Sequence, residues 1–454
     1  MKDLKILNAS IPVFGSDEWR TADILIDNGI IEKIGTVNED TEETVDAGGK
    51  ETVPGFIDMH AHEDPIDAGK YEFFTSLCEL RMGVTTKLAG NCGDNFDTLG
   101  DFVENIARKG SPTNYMMFVG QNKLREMAGA CDCYRPSTRY ELEKMKKFLA
   151  EAEQFDPVGI SCGFEYAPGV TTEETIELIN SFSRPGHMVS VHFRSDGADS
   201  IRSIDELIDI YKATGCGIQM SHIGSCSATG YMKGALDHLE NARKNGVDIT
   251  SDCYPYNAFC TGIGTAVFDG DCFEKWDKSY DALLVTKGRY KNRRCTKEIF
   301  EWLRKNEPDT NVVAFVMNDE EIDMAYKAPF VMVGSDCGFD EGCGHPRGAG
   351  AYPRLLGRYV RERGVLGLME ALKKMTIQPA ERLGLKNKGD IKEGADADIV
   401  IFDKDTIIDN ATFDEPSLAP SGIDRVIVGG KTAVKENTVV NGHLGRYIRY
   451  KQYR

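Results

Sequence analysis

Between about Val53 and about Lys386 the chain alternates short apolar runs with amphipathic helical stretches about eight times, and nothing else in its 454 residues restricts the fold so strongly. The apolar runs are GFIDMHAH, GVTTKLAG, NYMMFVG, GISCGFEYAPG, MVSVHFR, GIQMSHIG, VDITSDCYPY, VVAFVM and FVMVGSDCG. Between them, YELEKMKKFLAEAEQF, TEETIELINSF, SIDELIDIYKATG and GALDHLENARKNG repeat apolar residues at helical spacing. Parallel neighbours need a long crossover, which a helix supplies, so the alternation predicts a parallel sheet with helices packed on it. At this length the leading form is α/β, a closed (β/α)8 TIM-like barrel, with an open doubly wound sheet as its rival.

The two chain ends read differently. DLKILNA, ADILIDNG, IIEKIG and ETVDAGG are short alternating strands broken by Asn, Gly and Asp, and the texture returns in GDIKEGADADIVIFD and IDRVIVGGKTAV. The expectation is a small β-sandwich domain formed by both ends, residues 1–53 and 387–454, flanking a barrel over 54–386. A stretch near 261–308, rich in Lys, Tyr and Asp, reads as an insertion over one end of the barrel. The locally basic run Arg446 to Arg454 reads as a solvated tail.

Charge and composition exclude whole classes of function. The formal net charge of -18 opposes a phosphate backbone, so no nucleic-acid partner is expected. No run of about 18 apolar residues is present, so no membrane partner is expected, and the N-terminus lacks an apolar export core. Thirteen scattered cysteines do not make a disulfide framework and point to a reducing cytoplasm, with most thiols buried in the core. The sequence carries no interface signature, which leaves a homo-oligomer open.

Candidate chemistry sits at the ends of the apolar runs. His60 and His62 close VPGFIDMHAH, and in a strand residues i and i+2 point to one side, so the imidazoles converge as a chelate. Cys92 closes LAGNCG, His192 lies in MVSVHFR, His222 in IQMSHIG and Asp336 in FVMVGSDCG. Each strand would deliver its ligand at its C-terminal end, the face of a barrel where active sites are built. A thiolate with imidazoles suits zinc, and five strand ends bearing such groups fit a metal centre far better than five unrelated core residues.

Taken together, PGFIDMHAH, GVTT with GNCG, SVHFRSDG, MSHIGS, DCYPY, GSDCG and HPRGAGAYPRLLGRYVRE resemble the N-acyl-D-amino acid deacylases (D-aminoacylases) of the amidohydrolase superfamily over essentially the full chain. The resemblance implies zinc-dependent hydrolysis of a small-molecule N-acyl amino acid. It also implies a metal centre made from His60, His62, Cys92, His192, His222 and Asp336, with one tight zinc site and room for a second, weaker one. Cys92, His192 and His222 would hold the tight ion, and Asp336 would carry protons as the catalytic residue. Arg347 in HPRG matches the position that grips the substrate α-carboxylate, and Tyr254 in DCYPY matches a second contact to it.

Three departures from the family pattern matter. Cys260 or Thr261 stands where many relatives have a small hydroxyl residue, which leaves one contact to the substrate carboxylate open, and Gly224 stands where members often carry Lys, so an acidic side chain on the substrate is not supported. Lys87 follows GVTT, where an apolar residue is expected, and as a carboxylated lysine it would support the alternative, a cyclic-amide hydrolase of the dihydroorotase or hydantoinase kind. Of the remaining histidines, His187 and His238 read as solvated, His345 as a loop residue and His443 as part of the tail.

Overall fold

The computed structural model describes residues 1–182, 184 and 186–450. Eight parallel strands form the barrel: β1 (Phe56–Asp58), β2 (Val84–Ala89), β3 (Asn114–Gly120), β4 (Gly159–Gly163), β5 (Met188–His192), β6 (Gly217–Met220), β7 (Ile249–Cys253) and β8 (Val331–Val333). Neighbours in this order pair in parallel, with one register shift between β1 and β2 at Phe56 and Ile57, and Met59 N to Val333 O (3.2 Å) and Asp336 N to His60 O (2.7 Å) close β8 on β1. The Asp58 carboxylate crosses the same seam, accepting from Ser335 N and His60 N at 3.0 Å each.

Nearly every residue of these strands is buried, because helices cover the outside and side chains fill the inside, which is why the runs are continuously apolar. The period of two sorts them: in β3, Tyr115, Met117 and Val119 join the core shared with the helices, while Met116 and Phe118 meet Met59, Met188 and Met332 inside. The helix Arg139–Ala152 starts on a capping box between Thr138 and Glu141 and buries Leu142, Met145 and Leu149.

The chain ends join in one nine-stranded sheet, linked by antiparallel pairing of Glu51–Pro54 with Ile399–Phe402. Its core is aliphatic, with Leu4, Ile6, Ile24, Ile26, Ile399, Ile401 and Ile427 buried together.

Two expectations are corrected here. VVAFVM is not a barrel strand: Asn311–Ala314 pairs antiparallel with Phe259–Gly262 and Leu283–Val285 in a separate three-stranded sheet. Val331–Val333 pairs with β7 instead, and an apolar run does not reveal which sheet buries it. The basic end is not a solvated tail as far as Tyr450. Ile448 N donates to Tyr115 O (2.8 Å) and Tyr450 N to Asp156 O (3.0 Å), both side chains are buried, Arg446 is exposed and Arg449 is half-buried. Residues 451–454 lie outside the described residues. Among the described residues no helix is long and apolar enough to cross a membrane.

Candidate metal centre

His60 and His62 follow β1, Cys92 follows β2, His192 ends β5, His222 follows β6, Tyr254 follows β7 and Asp336 follows β8, so all seven stand on one rim of the barrel. Cys92, His222 and Asp336 have positive φ values of 57°, 27° and 49°, a region in which side chains other than Gly are strained and which is enriched at functional sites. The turns aim these three side chains inward. One donor atom each from His60, His62, Cys92 and Asp336 lies within 4.8 Å of the others, and the same holds for Cys92, His192 and His222. The thiol is common to both groups.

Distances fix the arrangement. Cys92 Sγ is 3.3 Å from His60 Nε2 and 3.5 Å from His222 Nε2, and Asp336 Oδ1 is 3.2 Å from His62 Nε2 and 3.6 Å from His60 Nε2. The far sides of three rings are held. His60 Nδ1 is 3.2 Å from Asp252 Oδ1, His222 Nδ1 is 2.7 Å from Ser225 Oγ, and His192 Nε2 is 2.9 Å from Glu165 Oε2. Partners of this kind orient metal-binding imidazoles. His192 Nδ1 is buried without a hydrogen bond among the described residues, as a nitrogen that ligates a metal would be. Two imidazoles, a thiol and one further position make a donor set suited to zinc, and two imidazoles with a carboxylate suit a second divalent ion.

Electrostatics favour the ligating forms. Burial would raise the Cys92 thiol, but His60, His192 and His222 hold it well below the ordinary thiol range. Asp336 is likewise pulled well below the usual carboxylate range, against its burial, by Arg347, His222 and His62. The anions in turn raise His62 to about 10 and His192 to about 9 against burial, so a cation entering here displaces protons from the imidazoles.

Arg347 stands beside this cluster. It is buried, with Nη1 2.8 Å from Asp336 Oδ2, Nη2 donating to Cys260 O at 3.4 Å, and Nε without a hydrogen-bond partner among the described residues. Its guanidinium lies 4.4 Å over the Tyr254 ring. His345 is not a plain loop residue: it is buried, its Nδ1 accepts from Arg347 N (3.0 Å), and Nε2 donates to Ala258 O (3.1 Å). That bonding fixes a neutral imidazole, whose pKa burial and Arg347 push well down. It sets the start of the helix Arg347–Arg354. His187 is also buried, stacked on Phe182, whereas His238 is partly exposed beside Asp205 and His443 is exposed.

Gly224 faces the core: a Cβ there would stand 2.9 Å from Ile322 Cδ1 and 3.2 Å from Cys253 Sγ. Thr261 Oγ1 bonds the Tyr166 hydroxyl at 3.3 Å. Lys87 is buried, with Nζ 2.6 Å from Glu79 Oε2 and 3.0 Å from His62 O. Although burial lowers its pKa, Glu79 and Asp64 raise it well above the normal lysine value, and a protonated amine has no lone pair with which to take up carbon dioxide. Glu165, Ser225 and Asp252 escaped the sequence reading, which looked for ligands and not for what holds them. Asp252 was visible in DCYPY.

Above the cluster a cleft of about 980 Å3 opens between barrel and insertion, with His62, Cys92, Asp336 and Arg347 at its base and Thr261 and Pro308 on its wall. An N-acyl-D-glutamate deacylase of Alcaligenes xylosoxydans xylosoxydans is 31% identical to the chain over 95% of its length and 93% of the relative's. The chain belongs to the N-acyl-D-amino acid deacylase family. Residues 322–434 of this deacylase match the model described as "Amidohydrolase family". The crystal structure of the Bordetella bronchiseptica N-acyl-D-glutamate deacylase, complexed with zinc and a phosphonate mimic of the tetrahedral intermediate, superposes with a TM-score of 0.87 at 27% identity, covering 99% of each chain. A D-aminoacylase structure described as defining a novel subset of amidohydrolases superposes at 0.88 and 25% identity, covering 98% of this chain and 99% of that one. Dihydroorotases are more distant relatives of the deacylase.

Proposed function

We propose that this deacylase hydrolyses the amide bond of N-acyl-D-amino acids, releasing a carboxylate and a free D-amino acid, with zinc at Cys92, His192 and His222. His60, His62 and Asp336 offer a second, weaker site that shares Cys92. The observation that carries the reading is the 2.8 Å contact between Arg347 and Asp336 at the edge of the donor cluster. In an N-acyl amino acid the amide nitrogen and the carboxylate hang from one carbon. A carboxylate grip one contact from a proton-carrying aspartate is the spacing that such a substrate requires.

A zinc ion bound by this donor set supplies Lewis acidity toward the acyl carbonyl and acidifies water. The residues do the rest. Asp336, kept ionised by Arg347 and the imidazoles, accepts the proton of the attacking water and returns it to the departing amine nitrogen. The Arg347 fork takes the substrate carboxylate, held in place by the Tyr254 face and Cys260 O. Handedness follows from the family. All thirteen cysteines are free, which supports a reducing cytoplasm as the setting.

The test is turnover by the zinc-loaded protein of paired N-acetyl-D- and N-acetyl-L-amino acids, alongside dihydroorotate and a hydantoin. Cleavage of D substrates alone supports the reading, and ring opening without deacylation contradicts it.

A further inference from the structure

Behind His192 and His222 a second, narrower pocket leads off the cleft, sharing Tyr166, Thr261 and Asp336 with it. Phe193, Phe259 and Val267 wall it, and Glu165 and Asp196 face it, with no Lys or Arg in the lining among the described residues. Each carboxylate is half used: Glu165 Oε2 meets His192 Nε2 at 2.9 Å, and Asp196 Oδ2 accepts from Trp276 Nε1 at 2.5 Å. Among the described residues the other oxygen of each accepts no side-chain hydrogen bond. Asp196 is 6% exposed. The cation nearest to it in effect, Lys275, is turned outward toward Asp271 at 3.6 Å.

Among the described residues Glu165 has the His192 imidazole as its counter-ion and Asp196 has no cation in ion-pair contact; burying that second acid is costly, and burial together with Glu165 pushes the Asp196 carboxyl up to about 7. The outer cleft has the same sign. Asp67, Asp94, Glu126, Asp309 and Glu341 line it and are exposed, and among the described residues Arg347 is the one Lys or Arg in its lining. The free space of the whole pocket is about 20 Å3, room for about one or two water molecules and therefore for an ammonium head.

We propose that Glu165 and Asp196 form the side-chain subsite of this deacylase and select D-amino acids whose side chain ends in a primary amine. The methylene stem would lie on Phe193, Phe259 and Val267, as amine-tipped chains do on apolar walls, with the head between the two carboxylates. An acidic side chain meets repulsion in both the pocket and the cleft, which is selection by an unfavourable contact as well as a favourable one. The inference rests on the deacylase reading.

The experiment is kcat/KM of the zinc-loaded enzyme for N-acetyl-D-lysine, N-acetyl-D-norleucine and N-acetyl-D-glutamate. Norleucine keeps the stem and loses the charge. The expected order is lysine at least about tenfold over norleucine, with glutamate lowest, and a lysine-to-norleucine ratio falling toward one in Asp196→Asn and in Glu165→Gln. The wild-type ratio needs no variant to fold. A ratio of one or less, with norleucine cleaved, overturns the subsite and leaves the deacylase standing. No cleavage of any of the three, nor of other N-acyl-D-amino acids, overturns both.

Discussion

Arg347 Nη1 stands 2.8 Å from Asp336 Oδ2, so the residue that would hold the substrate's charge also sets the charge of the residue that would move its proton. A carboxylate arriving at Arg347 competes with Asp336 for the same guanidinium. Substrate binding would thereby loosen the aspartate's grip on its proton-free state just when a base must become an acid.

The pair predicts two separable effects. Arg347→Lys keeps the charge and loses the fork, so kcat/KM should fall about 10- to 100-fold, mostly through KM. Arg347→Met removes the charge that depresses Asp336, so the acidic limb of the pH–rate profile should move to higher pH, because the base form is lost earlier on acidification. Unchanged limbs in Arg347→Met contradict the coupling.

Lys87 distinguishes linear from cyclic amide chemistry. Removing the lysine alone leaves Glu79, a fully buried carboxyl that burial already pushes up to about 8, without its hydrogen-bond partner, so Lys87→Met should destabilise the fold by about 1 to 3 kcal/mol. The double change Lys87→Met with Glu79→Gln should recover most of that stability and retain bound metal. Loss of metal in the folded double variant would mean that the lysine is a ligand after all, as the cyclic-amide reading requires.

The strand ends that carry the donors were legible because a ligand at a barrel rim must sit in a short-range motif, a period-two pair such as His60 and His62 or a run end such as GNCG. The barrel was legible from its alternation. Unreadable features are those fixed by contacts distant in sequence. VVAFVM is as apolar as a barrel strand, and only the antiparallel partners Phe259–Gly262 and Leu283–Val285 claim it. Ile448 and Tyr450 look like part of a basic tail until Tyr115 and Asp156 supply backbone partners. Glu165 reaches His192 across 27 residues and His345 caps a helix from a loop, and neither spacing announces itself.

Lys374 offers a pH test away from the site. Its ammonium is buried and donates to Ala328 O and Val331 O at 2.6 and 2.9 Å, and burial lowers its pKa from 10.5 to about 8. Above pH 8 the folded state releases this proton before the unfolded state does. The penalty of burying the charge is therefore fully present below pH 8 and is relieved as pH rises toward 10.5, by about 3 kcal/mol in all. Urea unfolding of wild type and Lys374→Met at pH 7 and pH 10 should show the difference between them shifting toward wild type at the higher pH. A pH-independent difference contradicts the assignment.

The proposed reaction depends on a metal held by Cys92, His192 and His222 beside a proton-carrying Asp336. It is tested most directly by measuring bound zinc and N-acetyl-D-amino acid turnover on the same preparations of wild type and Asp336→Ala. The variant should keep about one tightly bound zinc per chain and lose about 10²- to 10⁴-fold or more in kcat. A variant that retains zinc and near wild-type turnover, or wild-type protein that deacylates equally well without metal, would contradict it.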